Sequence, residues 1–181
     1  MALRDNPPSQ VPADLAIEEF KGCWWVAHTK PRQEKALAWD VLLAGGQYFL
    51  PMRQATRRSR GRSWKTALPL FTGYIFLCGS ERDRLAALRT NRIANLINVV
   101  DQSRLVEECS AIQRLLALGL AVGAHPGLSR GKKCRIRKGP LADLEGRVER
   151  HKGRDRFIVS VAILGQGAMV EINADLLEPC E

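Results

Sequence analysis

Ten consecutive residues, Leu68 to Leu77 (LPLFTGYIFL), carry no charge in a chain that is otherwise strongly basic. After Gly73 come Tyr, Ile, Phe and Leu, and β-branched and aromatic side chains favour an extended backbone. Strand side chains alternate between faces, so Tyr74 and Phe76 share one face and Ile75 and Leu77 the other. Both faces are apolar. In a sheet covered on one side only, one of those faces needs a partner from outside the sheet, either another element of the chain or a second molecule.

The remaining composition narrows the class of molecule. At 181 residues the chain has room for one domain and part of another, and a hydrophobic share of 45% is enough to bury a core. The net charge of +9 favours a polyanionic partner, nucleic acid before membrane, because no long basic amphipathic helix stands out. Five scattered cysteines, Cys23, Cys78, Cys109, Cys134 and Cys180, form no C-x-x-C pair and signal neither a disulfide framework nor a zinc site. A reducing cytoplasm fits. Leu115 to Val122 is too short to span a bilayer, so a soluble protein without a membrane partner is expected. Residues 1–22 contain Pro7, Pro8 and Pro12 among polar residues and are expected to form a flexible N-terminal extension; with Asp5, Asp14, Glu18 and Glu19 and no basic start followed by an apolar core, they do not read as a signal peptide.

Residues 23–118 read as an α+β domain. CWWVAHTK from Cys23 alternates as a strand, with Trp24, Val26 and His28 on one face and Trp25 and Ala27 on the other. Pro31 and Glu34 mark the start of a helix that runs into Gly45 and Gly46. QYFLP is a second strand. The stretch that follows holds Arg53, Arg57, Arg58, Arg60, Arg62 and Lys65 with no acidic residue, and is either a long hairpin or a loose loop. ERDRLAALR is a short helix and IANLINVVD a strand, while Leu105, Cys109, Ile112 and Leu116 recur at helical spacing as one buried stripe. Residues 119–128, rich in Gly and Pro, read as a linker. Residues 129–181 then switch to period two: Cys134 and Ile136; Phe157, Val159, Val161 and Ile163; Val170 and Ile172. Turn signals separate these runs, and a small closed barrel is expected.

Catalytic signatures do not hold up. GQGAMV from Gly165 lacks the third glycine and leads into a strand rather than a helix. No P-loop, G-x-S-x-G or H-E-x-x-H occurs, and His28, His125 and His151 are dispersed. The adjacent pairs Glu18-Glu19 and Glu107-Glu108 have no nucleophile beside them and read as solvated charges. The chain is expected not to be an enzyme, with no catalytic residue, metal or cofactor.

The order of the pieces carries a resemblance over nearly the whole chain from Trp24 onward. WWVAHTKPRQEKALAWDVL, YFLP, the basic stretch, LPLFTGYIFL, GKKCRIRKGPLADLEGRVE and VAILGQGAMVEI together resemble a NusG-family transcription elongation factor. The middle segment is similar to the family's P-L-F-P-G-Y-[VIL]-F, and the last two to a KOW motif with its following strands; Gly139, Pro140 and Gly146 match the KOW turn.

The resemblance implies an NGN domain, an antiparallel sheet with helices, tethered to an SH3-like KOW β-barrel. It implies that the NGN domain binds the clamp helices of RNA polymerase through an apolar depression lined by Phe71, Tyr74 and Phe76, with Trp25 and His28 beside them, while Ile75 and Leu77 are core. It implies contacts to non-template DNA from Lys30, Arg32 and Lys35, and the unopposed charges at Arg57, Arg58 and Arg60 are candidates for nucleic acid as well; Trp64 among them either stacks on a base or covers the sheet. In the barrel, Leu141, Leu144, Ile163 and Leu164 either fill the interior or form the patch by which the family binds a small-subunit ribosomal protein or the termination factor Rho. Thr72 stands where the signature has proline, Gln166 where the family often has arginine, and the proline-rich extension is unlike the general factor. Gln166 bears on the identity of the barrel's partner, whereas Thr72, the extension and the divergent helix ERDRLAALR point to a specialised, RfaH-like antiterminator of particular operons, acting as a monomer. In one such branch the C-terminal domain refolds as a helical hairpin; the β-branched RFIVSVAIL predicts a barrel here. A KOW-containing RNA-binding or ribosome-associated protein is the alternative reading.

Overall fold

The computed structural model describes residues 6–59, 61–127, 130–151 and 153–180, the side chains of Arg57 and His151 apart. Two compact units divide the chain, residues 1–102 and 103–181.

The first unit is built on an antiparallel sheet of β1 (Gln10–Val11), β2 (Cys23–Thr29), β3 (Gln47–Phe49), β6 (Tyr74–Gly79) and β7 (Ile93–Asn98), in the order β1-β3-β6-β2-β7. Helices α1 (Glu34–Leu43) and α2 (Glu81–Arg89) cover one face, where Ala27, Tyr48, Ile75 and Leu77 form a core with Leu37, Ala38, Val41 and Ala87. Gly45 and Gly46 stop α1 as expected. Their N–H groups donate to the carbonyls of Leu42 and Val41 at 3.0 and 2.9 Å, the pairing of a Schellman cap, with Gly45 at φ +75°. Ser80 starts α2 through a reciprocal cap: its N–H donates to Asp83 Oδ2 at 2.8 Å, and Asp83 N–H returns to Ser80 Oγ at 3.4 Å. The Ser80 hydroxyl, which donates to Asp83 Oδ2 at 2.6 Å, and after it the Ser80 N–H hold the Asp83 carboxyl below its ordinary range.

The N-terminal segment is not a flexible extension. From Asn6 onward it is a docked strap whose strand β1 pairs with β3, Gln10 opposite Phe49 and Val11 opposite Tyr48. Ile17 is 0% exposed, and the ring of Phe20 stacks on Trp24 with centroids 5.4 Å apart. The prolines are compatible with this because they dock through their carbonyls: Tyr48 Oη donates to Pro8 O at 2.9 Å, and the Gln10 amide to Pro12 O and Leu15 O at 3.0 and 2.7 Å. Two apolar anchors and these bonds outweigh the entropy of ordering a segment whose prolines have already lost φ freedom.

The basic stretch is the hairpin of the two alternatives. β4 (Met52–Ser59) and β5 (Arg62–Pro69) pair in unbroken antiparallel register from Met52–Pro69 to Ser59–Arg62, and form a two-stranded sheet of their own.

The second unit holds α3 (Gln102–Ala117) and the strands β8 (Gly123–His125), β9 (Lys132–Ile136), β10 (Glu145–His151), β11 (Arg154–Val161), β12 (Gln166–Glu171) and β13 (Leu177–Pro179), ordered β13-β9-β10-β11-β12-β8. This is the β-rich C-terminal fold expected of a KOW domain, with Cys134, Ile136, Phe157, Val159, Val161 and Val170 in its core. Gly146 is required by close approach: a Cβ there would lie 2.6 Å from the Phe157 ring and 2.7 Å from the Ile158 carbonyl. Two boundaries differ from expectation. The compact division falls after Gln102 rather than at 118, because α3 bonds to the β-rich part of the second unit: Ala162 N–H donates to the Glu108 carboxylate at 3.1 Å and Arg114 to Ala142 O at 2.9 Å. The stretch 119–128 is not all linker either, since β8 adds to the sheet with Gly167 opposite His125. Residues 128 and 129 lie outside the described residues.

Candidate functional site

The uncharged stretch turns sharply between β5 and β6. Tyr74 N–H donates to Phe71 O at 3.2 Å, and Gly73 sits at φ +85°, the left-handed position that a tight turn reserves for glycine. Proline is favoured at the preceding position of such a turn but not required, which is why Thr72 serves there. Two further bonds lock the turn. Thr29 N–H donates to Gly73 O at 2.8 Å, and Gly73 N–H donates to Glu34 Oε1 at 2.7 Å. Glu34 is buried although it opens α1. It is legible in the sequence only as a first-turn acid; no spacing signal links it to a glycine 39 positions away.

Tyr74 and His28 emerge from this arrangement as a pair. They are opposite each other in the β2–β6 register, and their rings stack at 4.9 Å and 25°. His28 is exposed and Tyr74 half-buried, with Thr72 exposed next to them. Lys30 and Arg32 follow on the same turn out of β2 and are exposed. The structure thus brings Tyr74, His28, Thr72, Lys30 and Arg32 to one corner.

The other expected members of the depression lie elsewhere. Phe71 and Phe76 are 1% and 0% exposed. Phe76 stacks against Phe49 at 6.0 Å and meets Phe71 edge-on at 6.3 Å, so the three rings form an aromatic core beneath the turn rather than an open hollow. Truncating either ring opens a core cavity worth about 3–5 kcal/mol, and a binding assay on such a variant reads folding as well as docking. Trp25 is corrected too. It pairs with Leu77, on the face that α1 and α2 cover, opposite to Tyr74 and His28. Ile75 and Leu77 are core as expected.

The cations sort by their partners. Lys30 Nζ donates to Asn91 Oδ1 at 2.8 Å while remaining exposed, and Arg32 holds φ +61°, an uncommon value for a residue with a Cβ. Lys35 is a structural tie: half-buried, its ammonium donates to Asn6 Oδ1 at 2.6 Å and to Ala67 O at 2.5 Å, joining the strap, α1 and the root of the hairpin. Arg58 is exposed on β4. Arg57 is on β4 opposite Trp64, and Arg60 lies outside the described residues.

In the second unit the four apolar candidates split. Leu141 and Leu144 are 7% and 5% exposed and fill the interior, whereas Ile163 and Leu164 are half-exposed. The reason is a short 3-10 turn, Ala162–Leu164, which ends the alternation of β11 after Val161 and carries Ile163 off the inner face.

Among the described residues no group of three or more His, Cys, Asp or Glu side chains could hold a metal. Burial pushes the Cys78 thiol up to about 12 and Cys109 well above its ordinary value, so neither is a thiolate nucleophile. The described surfaces carry an aromatic corner with cations on the adjoining turn, and a basic ribbon.

The sequence pattern of the family described as "Transcription termination factor nusG" matches residues 22–115, more than half of the chain. The chain belongs to the NusG family. That match takes in β2 through most of α3, including the Phe71–Tyr74 turn and the hairpin, and membership makes the chain a transcription factor of the elongation machinery. No curated protein matches it. Among solved structures, the crystal structure of the MjSpt4:Spt5 complex in conformation B is similar at 13% identity, over 86% of this chain and 95% of that one, with a TM-score of 0.26, too low to argue from.

Proposed function

We propose that this NusG-family chain is a bacterial elongation factor that docks on the clamp helices of RNA polymerase through the corner around Tyr74 and His28 and suppresses pausing and termination. The observation that carries the reading is the locked Phe71–Tyr74 turn inside the family match. A buried carboxylate and a left-handed glycine hold a half-exposed tyrosine stacked on an exposed histidine, a costly arrangement unless the rings are displayed for a partner. Lys30, Arg32, Arg58 and the rest of the basic ribbon accompany the non-template DNA strand, whose affinity falls with salt. Ile163 and Leu164 are the half-exposed remainder of the patch in the second unit and the contact for a ribosomal protein or Rho. Thr72 in place of proline and the docked strap support a specialised, operon-specific antiterminator of the RfaH type, working in the cytoplasm as a monomer.

The test is pause lifetime in purified elongation complexes. The parent chain is expected to shorten pauses, and Tyr74→Ala to lose that effect at equal concentration with an unchanged melting temperature. A parent chain that leaves pauses untouched and binds free RNA instead favours an RNA-binding module.

A further inference from the structure

A cleft in the second unit takes no part in the surfaces described above. It measures about 350 Å³ and is lined by Leu120, Ala121 and Gly123 from the stretch after α3 and by Arg156, Met169 and Glu171 from β11 and β12. That volume is at the small end of the range that holds low-molecular-weight ligands. Small residues make the room. Ala121 carries only a methyl group, and Gly123, opposite Met169 in the β8–β12 register, lacks a Cβ that would lie 3.1 Å from Met169 Cε.

Arg156 is the unusual member of the lining. Phe157 and Val170 pair across β11 and β12 and are buried in the core, so alternation puts Arg156 and Glu171, the next pair in register, on the opposite face. Glu171 does not take the guanidinium beside it: its Oε2 accepts from Arg154 Nη1 at 2.8 Å. Among the described residues the Arg156 side chain is left with one hydrogen-bond partner, the Met169 thioether at 3.9 Å. Sulfur is a weak acceptor, and a guanidinium has five N–H donors in a planar fork. A half-buried cation without a carboxylate therefore lines a cleft whose other walls are largely apolar.

The group that completes this fork is a carboxylate, which it can bind bidentately. The body that suits Leu120, Ala121 and Met169 is apolar, and a thioether favours contact with an aromatic ring. A phosphate fits less well, because Glu171 adds negative charge at the rim and apolar walls penalise a second charge.

We propose that this cleft binds a small aromatic monocarboxylate, its carboxylate on the Arg156 guanidinium and its ring against Leu120 and Met169. The site goes beyond the polymerase reading and does not depend on it, since that reading uses none of these residues.

Phenylacetate titrated into the full chain with its methionine methyl groups labelled for NMR tests the proposal. The chain has three methionines, and Met52 on β4 serves as the internal control. Phenylacetate is expected to shift the Met169 methyl signal saturably, with a dissociation constant of about 1 mM or tighter, and to leave Met52 unmoved. Arg156→Gln is expected to weaken binding about ten-fold or more, as for loss of a charged hydrogen-bond partner, with an unchanged melting temperature. Ala121→Phe, which fills the cleft from its exposed side, is expected to abolish the shift, and Glu171→Gln, which removes the competing carboxylate, to bind at least as tightly as the parent. No Met169 shift in the parent, or equal affinity in Arg156→Gln, overturns the proposal. Acetate or phosphate acting as well as phenylacetate removes the aromatic body from it and overturns the ligand class; phenethylamine acting as well makes Glu171 the anchor and overturns the role of Arg156. Pause lifetimes are read separately, so failure here leaves the polymerase reading standing, and failure there leaves this site standing.

Discussion

Glu34 shows how one residue can set a surface it does not belong to. Its carboxylate is buried and accepts the Gly73 N–H, so the turn that displays Tyr74 is fixed from underneath by the first residue of α1. Removing the acceptor leaves a half-buried N–H without a partner, which costs about 1–3 kcal/mol. Glu34→Ala is therefore expected to lower unfolding stability by that amount in urea melts, and Glu34→Gln, which still presents an acceptor, by less. Equal stability in all three proteins would mean that the bond is incidental. Thr72 belongs to the same residue-scale logic. A tight turn with a left-handed third residue tolerates threonine in the second, so the departure from the family's proline changes the rigidity of the turn, not its path.

At the scale of elements, the strap and the hairpin are the two pieces that local pattern describes least well. Residues 6–20 look mobile by composition because prolines and polar residues dominate them. Their anchoring depends on Ile17 and Phe20 meeting a sheet formed by residues far along the chain, which no local period reveals. Ile17→Ala is expected to cost about 2–5 kcal/mol in the same melts, as for other fully buried aliphatic truncations. A loss within a few tenths of a kcal/mol would restore the flexible-extension reading. The hairpin is ambiguous in sequence for a related reason: its alternation is carried by arginines and serines rather than by apolar residues, so the period-two signal used to recognise strands is nearly silent there. Elements with a clean apolar period are legible, as with Leu105, Cys109 and Ile112 on α3, all buried, although Leu115 rather than the expected Leu116 completes that stripe, and with Phe157, Val159 and Val161 on β11.

For the whole molecule, the α+β unit followed by a β-rich unit is readable from the change of period near residue 130, and the family from motifs in order. The candidate site is only half readable. Alternation correctly puts Tyr74, Phe76 and His28 on one face of the sheet, but it gives no depth. Depth decides that Phe71 and Phe76 are core and that Tyr74 and His28 are surface. The same limit separates Leu141 and Leu144 from Ile163 and Leu164, where a 3-10 turn, invisible to a period-two count, makes the difference. The molecule thus displays Tyr74 and His28 above a buried aromatic core of Phe49, Phe71 and Phe76. The most direct measurement is equilibrium binding of the full chain to purified core RNA polymerase, comparing the parent with Tyr74→Ala and His28→Ala. The expected result is micromolar or tighter binding by the parent and, for an exposed aromatic anchor, about a ten-fold or greater loss for Tyr74→Ala with an unaltered melting temperature. Identical affinities in all three proteins, or no binding by the parent, would contradict it.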